Sequence, residues 1–373
     1  MIKRLYIDNF KCFSNFELQF SKIQLLLGEN GTGKSAIFDV LNRLGGYSAL
    51  GATTATAFHS SFLRVMEKSP RQIFEIEILE EEFSFVYRVI VDHSELRNQA
   101  RTVEETLKVD DFLLYHFDGL NAEVSAGAEV GKFKFPMDGT VSGLANLPDR
   151  EDLRMIQMFK ARMSSLYCFN VNPSAMQAET KRETLRPARD LHDFASWVRA
   201  LTQSSFDVLR LAYDDLSIVI PGFQSLALRP DAAETKYLVA RFSGGADKQA
   251  PERSNYELNF EDLSDGQRCL IAYYTLQHCV HGSQIFCIDE PDNYISIREL
   301  QPWLLGLIDR VEGSKAQLLL ISHHPEFIDR LAYDHGIWLQ RDHVGPVRAV
   351  RPSWEKGDKS LSASELIARG WVD

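Results

Sequence analysis

Eight consecutive residues, Gly28-Glu29-Asn30-Gly31-Thr32-Gly33-Lys34-Ser35, place three glycines, a lysine and a hydroxyl at the spacing GxxxxGK[ST]. Glycines leave backbone N–H groups unobstructed, so such a loop can wrap a polyphosphate. Gly28, Asn30, Gly31 and Gly33 would form the cradle. Lys34 would bring positive charge to the β- and γ-phosphates, and the Ser35 hydroxyl would ligate Mg²⁺. A helix opening at Lys34 would add the positive end of its dipole.

A second set lies far along the chain. Ile285-Phe286-Cys287-Ile288 is followed by Asp289 and Glu290. Asp289, at the end of an apolar strand, is placed to hold the Mg²⁺ shell, and Glu290 to polarise an attacking water as general base. Leu263-Ser264-Asp265-Gly266-Gln267-Arg268 stands 289 − 264 = 25 residues upstream of Asp289. The hydroxyl of Ser264, with Gly266 and Gln267 behind it, can clamp a second anion at a helix start; the same residues would also serve as an ordinary N-cap. In Ile321-Ser322-His323-His324-Pro325, two histidines follow an apolar strand.

The elements that must position these groups are readable from periodicity. Leu5 and Ile7, then Phe16, Leu18 and Phe20, alternate as strands; Ile23–Leu27 reads as a strand buried on both faces. Helical spacing follows at Ile37, Val40, Leu41 and Leu44 and is expected to stop at Gly45-Gly46. Residues 73–92 predict an antiparallel hairpin, with Phe74, Ile76 and Ile78 facing one way and Glu75 and Glu77 the other. Further short strands are expected at 112–116 and 120–124, with loops near 126–131, 139–143 and 244–256. Leu153, Ile156, Phe159, Met163 and Leu166 form one helical stripe, and Leu191, Phe194, Val198 and Leu201 another. Helix 265–280, strand 284–288, helix 297–311, strand 317–322, helix 325–332 and strand 336–340 then alternate, the pattern of a parallel sheet.

Composition sets the limits. The chain has 373 residues, 45% hydrophobic and 25% charged, which excludes global disorder and leaves room for a full core. No apolar stretch is long enough to span a bilayer. Five cysteines without a CxxC spacing argue against a disulfide framework and a zinc knuckle, and place the chain in reducing cytoplasm. Net charge is 41 − 52 = −11, which disfavours wholesale binding to a phosphate backbone. Residues 154–210 run the other way, with nine basic residues against five acidic ones. A solvated helical face explains that bias more simply than a basic groove.

With four motifs in order, the chain resembles the ABC ATPase superfamily, and Ile7-Asp8-Asn9-Phe10-Lys11-Cys12-Phe13 ahead of the glycine loop resembles its SMC/RecF/OLD-type branch. The resemblance covers residues 1–45 and 258–345 well and the middle loosely. It implies an α/β fold: an ABC-type P-loop ATPase core with a mixed sheet, an antiparallel β subdomain and an inserted helical subdomain. It implies division into 1–149, 150–257 (the helical insertion) and 258–373, with ATP and Mg²⁺ as ligands. It implies that His323 contacts the γ-phosphate, with His324 the fallback. It implies a homodimer or higher oligomer closing head to tail, so that Ser264, Gly266 and Gln267 act in trans on a site built by Lys34, Ser35, Asp289, Glu290 and His323. Only 218 residues separate Leu44 from Leu263, against the hundreds of coiled-coil residues of true SMC proteins. The 50 residues after His323 leave no room for the nuclease domain of OLD-type members.

The expected role is a nucleotide-gated switch controlling a separately encoded effector such as a nuclease, by analogy in bacterial anti-phage defence. The hairpin and residues 150–215 are the expected partner surface. A RecF-like ATPase binding DNA or RNA in repair is the alternative. The nucleotide subunit of a membrane transporter is a third reading, disfavoured by the long insertion.

Overall fold

Strands that alternate apolar and charged side chains build the first sheet. In the computed structural model, which describes residues 1–64, 69–93, 100–125, 131–231, 234–244, 255–280, 282–341, 345–352 and 361–371, β1 (Ile2–Asp8) and β2 (Phe16–Gln19) pair antiparallel. β4 (Arg71–Glu80) and β5 (Phe83–Asp92) form the expected hairpin, with Phe74 opposite Val89 and Ile76 opposite Tyr87. Phe74, Ile76 and Ile78 are buried while Glu75 and Glu77 lie on the other face. β4 also pairs with β1, so the hairpin is the centre of a larger sheet. β6 (Arg101–Val109), β7 (Phe112–Phe117), β8 (Asn121–Ser125) and β9 (Lys132–Pro136) complete eight strands in the order β2-β1-β4-β5-β6-β7-β8-β9.

β6 breaks the apolar code. Glu105 points inward and is fully buried, yet its carboxylate accepts from the Tyr87 hydroxyl at 2.8 Å, Ser142 at 2.5 Å, Tyr115 at 3.2 Å and the Gly143 N–H at 3.2 Å. Burial pushes its pKa up, and these donors pull it back.

The second sheet has β3 (Ile23–Gly28) at its centre, with β16 (Gln317–Ile321) and β17 (Gly336–Arg341) parallel on its two sides. β15 (Ile285–Asp289) and β10 (Leu166–Phe169) continue beyond β16, and β18 (Val347–Val350) pairs antiparallel with β17, so the sheet is mixed. Every residue of β3, β15 and β16 is buried, as continuous apolar runs require.

After β3 the helix α1 spans Lys34–Leu50, passing through both glycines at which it was expected to stop. A Cβ at Gly45 would lie 3.0 Å from the Met163 carbonyl of α2 (Arg154–Ser164), so this glycine permits a close helix approach. The stop is Gly51, at φ 75°. Leu166, expected on the stripe of α2, instead opens β10. One apolar cluster joins the inward faces of both sheets with α1 and α2.

These parts belong to one of two contact-defined units, Met1–Cys168 with Ser283–Cys287 and Ala316–Asp373. The other is Phe169–Gly282 with Ile288–Lys315, so the units do not follow the three consecutive stretches expected. In it, β13 (Lys236–Phe242) pairs with β11 (Glu179–Thr180), β12 (Phe223–Pro230) and β14 (Tyr256–Asn259). The stretch 150–257 is therefore not simply helical. Its long helices α3 (Phe194–Ser204) and α4 (Phe206–Val219) are joined in this unit by α5 (Asp265–Cys279) and α6 (Ile297–Glu312). Of the expected loops, 126–130 and 245–254 lie outside the described residues. No helix among the described residues is long and apolar enough to cross a membrane.

Candidate functional site

The glycine loop turns where only glycine fits. Gly28 ends β3 at φ 141°, and a Cβ there would sit 2.4 Å from the Leu339 carbonyl. Gly33 precedes α1 at φ 96°, and its Cβ would meet Cys12 Sγ at 2.5 Å and the Phe13 ring at 2.8 Å. Any other residue at either position meets both the wrong handedness and a collision. Lys34 is buried and curls back over the loop, donating to the Gly28 carbonyl at 2.7 Å and the Glu29 carbonyl at 2.9 Å. Asn30, Gly31 and Ser35 are exposed, and the amino end of α1 carries no side-chain cap. An uncapped helix start beside a lysine-lined glycine turn fits an anionic phosphate chain.

β16 runs parallel beside β3 with Ile321 opposite Leu26, so the residues just after β16 emerge at the same end of the sheet as the glycine loop. There the two histidines separate. His324 caps the helix α7 (Pro325–His335), its Nδ1 accepting from the Glu326 N–H at 3.2 Å, and its own N–H donates to the buried Ser322 hydroxyl at 3.0 Å. His323 is exposed at the strand end. Of the two histidines, the first is therefore the exposed one and the second the helix cap.

In the other unit, Asp289 is 2% exposed at the end of β15. Its Oδ2 accepts from Asn170 Nδ2 at 3.2 Å and pairs with the Arg189 guanidinium at 3.5 Å. Asn170, directly after β10, carries no signal in the sequence, whereas Arg189, in an irregular segment, is one of the nine basic residues of 154–210 read there as a solvated face or a basic groove. Glu290 follows at φ 49°, a left-handed conformation that costs a non-glycine residue about 1–3 kcal/mol and is typical of functional sites. Asn293 Nδ2 donates to Glu290 Oε2 at 3.0 Å, aiming the carboxylate. Asp289 and the Ser35 hydroxyl are hard oxygen donors, the type Mg²⁺ takes alongside phosphate oxygens.

Ser264 caps α5. Its hydroxyl accepts from the Gln267 N–H at 3.3 Å, and Gln267 Oε1 accepts from the Ser264 N–H at 3.1 Å, a reciprocal capping box. Ser264 is exposed, at a helix amino terminus that faces outward from its unit. Gly266 is required by packing, because a Cβ would lie 2.8 Å from the Tyr294 carbonyl in the segment that follows Glu290. Behind it, burial pushes the Cys269 thiol up to about 12, which removes it as a nucleophile.

Two family models match the chain. One, described as "AAA ATPase domain", covers residues 1–133. The other, described as "AAA domain, putative AbiEii toxin, Type IV TA system", covers residues 179–329. No curated protein matches the sequence. Among solved structures, an SMC head bound to the C-winged helix domain of ScpA is 15% identical, with a TM-score of 0.56 over 94% of this chain and 98% of that one. An SMC head domain with an extended coiled coil, bound to the C-terminal domain of ScpA from Pyrococcus furiosus, is 12% identical, with a TM-score of 0.51 over 94% of this chain and 96% of that one. At these identities the likeness is one of fold.

Proposed function

We propose, from the premise that the chain is an ABC-type ATPase of the SMC/RecF/OLD-like kind, that it is a Mg²⁺-dependent switch whose two protomers close head to tail around two ATP molecules. The observation that carries ATP binding is the loop at residues 28–35, where two glycines that tolerate no side chain hold Lys34 over an uncapped helix start. Lys34 exchanges its two carbonyl partners for phosphate oxygens as the nucleotide enters, so its charge is already positioned. Ser35 and Asp289 would hold Mg²⁺, which supplies charge neutralisation on the phosphates when bound. Glu290, aimed by Asn293, accepts the proton of the attacking water, and His323 donates to the γ-phosphate.

Composite sites are supported by the exposure of Ser264 at the amino end of α5. An exposed helix start is open to an anion brought by another molecule. ATP closes the dimer and hydrolysis opens it. The chain would transmit those two states to a separately encoded effector such as a nuclease, through differential affinity. The description of the second family model, which names an AbiEii toxin, supports placing this switch in bacterial anti-phage defence. The related SMC heads bind ScpA domains, which supports the presence of a protein partner here.

Complementation in trans tests the arrangement. Ser264→Arg protomers mixed with Lys34→Ala protomers have one intact site per heterodimer, so ATPase activity of the mixture should exceed that of either variant alone. Absence of recovery, with heterodimers confirmed by tagging, would count against composite sites.

A further inference from the structure

A carboxylate as buried as that of Asp289 is costly unless a cation or several donors compensate it. The chain supplies both from one place. Asn170 reaches Oδ2 with its amide and Arg189 reaches the same oxygen with its guanidinium. The two residues are tied to each other through the backbone: the Asn170 N–H donates to the Arg189 carbonyl at 2.8 Å, and the Asn172 N–H to the Asp190 carbonyl at 3.1 Å. Asp193 Oδ1 accepts from the Ala188 N–H at 2.9 Å, and Leu191 turns the chain at φ 58°. The segment carrying Arg189 is therefore held in register against the residues just after β10. The Arg189 side chain is 29% exposed, against 1% for Asp289, so it can leave the carboxylate without crossing a core.

We propose that Arg189 is the resident counter-cation of Asp289 and that Mg²⁺–nucleotide binding displaces it. The inference rests on the assignment of Asp289 to the metal shell made above. Guanidinium and a divalent cation repel each other and seek the same oxygen, Oδ2, so the two compete for it. With the metal absent, Arg189 neutralises the buried charge and keeps the site folded. With the metal present, the guanidinium is released and becomes available to phosphate oxygens, which it binds in a bidentate fork. Asn170 stays, because a neutral amide has no charge conflict with the metal. Arg189 is a positioning residue in this scheme, and the segment it belongs to reports whether the site is loaded.

Two measurements on the full chain test the proposal. The first needs no nucleotide: thermal unfolding of Arg189→Ala, Asp289→Asn and the double variant in metal-free buffer. The Tm loss of the double variant should be smaller than the sum of the single losses by about 2 °C or more, since each single change breaks the same pair. Additive losses would overturn the counter-cation role whatever the protein binds. The second titrates Mg²⁺ at a fixed concentration of a fluorescent ATP analogue. Arg189→Ala should lower the half-saturating Mg²⁺ concentration about threefold to tenfold, while Arg189→Lys, which keeps the charge, should stay near the wild-type value. Equal half-saturation in wild type and Arg189→Ala would overturn the competition. Wild-type protein that binds no Mg²⁺–nucleotide, beside a non-additive cycle, would instead overturn the reading of the site as an ATPase centre and leave the pair as a purely structural one.

Discussion

Glu290 occupies a left-handed backbone position that a glycine would fill without strain, and the strain is offset by the turn that closes from its carbonyl to the Asn293 N–H at 3.2 Å. Strain of this kind fixes where a carboxylate points, which is what a general base needs. Glu290→Gln keeps an acceptor for the Asn293 amide and leaves the backbone unchanged. Turnover should fall about 10²–10⁴-fold while nucleotide binding and Tm stay close to wild type. Single-turnover hydrolysis beside fluorescent-nucleotide titration separates these effects. A variant that retained near wild-type turnover would show that Glu290 is not the base.

At the scale of elements, α5 carries Ser264 as its cap, with Gly266 and Gln267 in its first turn, and is anchored at its other end. His278, near its carboxyl end, donates through Nε2 to Asp215 of α4 at 2.7 Å and accepts at Nδ1 from Arg310 of α6 at 2.8 Å. Trp303 of α6 donates to the Tyr273 carbonyl of α5 at 3.0 Å. Three helices are thereby tied together through side-chain hydrogen bonds. Burial lowers the pKa of His278, with Asp215 opposing and Arg310 adding to the shift. The neutral ring also fits the geometry, since protonated Nδ1 would face the Arg310 donor. In the unfolded chain His278 takes up a proton below its ordinary value of about 6.5, whereas in the folded chain it resists. Its stabilising effect is therefore present above pH 6.5 and is lost as pH falls from there towards the folded pKa. Between pH 7.5 and 5.5 wild-type Tm should drop more than that of His278→Gln, whose amide can keep both bonds without titrating. Parallel pH profiles would overturn the assignment.

For the whole molecule, the basic excess at 154–210 is absorbed by pairs within the chain. Arg162 is buried beside Glu80 at 3.1 Å, Lys181 pairs with Glu179, Arg199 with Glu183, Arg210 with Asp207 and Asp214, and Arg189 with Asp289. Lys160 donates to the carbonyls of Ala145 and Leu147. Charges committed in this way leave little positive field to track a nucleic-acid backbone. Reversing Arg182 and Arg186 together should leave the affinity for single- and double-stranded DNA within about twofold of wild type, with an unchanged salt slope. A clear loss, with a flatter slope, would move the protein to the nucleic-acid-binding alternative.

Some of this was readable residue by residue. Buried strands announce themselves as unbroken apolar runs, so β3, β15 and β16 were legible, and the glycines at 28 and 33 mark turns that no side chain survives. Both readings of Ser264, the cap and the anion clamp, are likewise carried by its local sequence. Other features were not local. Glu105 hides a strand by placing a carboxylate on its apolar face, and only the hydroxyls of Tyr87, Tyr115 and Ser142, brought in from other segments, make that tolerable. Gly45 reads as a helix stop until α2 is seen packed against it. His323 ranks ahead of His324 in the sequence only by its place next to Ser322, and the physical difference between them comes when α7 takes the second as its cap. Asn170 and Arg189 reach Asp289 across 119 and 100 residues of chain. Periodicity and steric limits act over a few neighbours, so a sequence determines them alone. Convergence on a buried charge depends on which distant segments the fold brings to it, and that was decided by the tertiary structure.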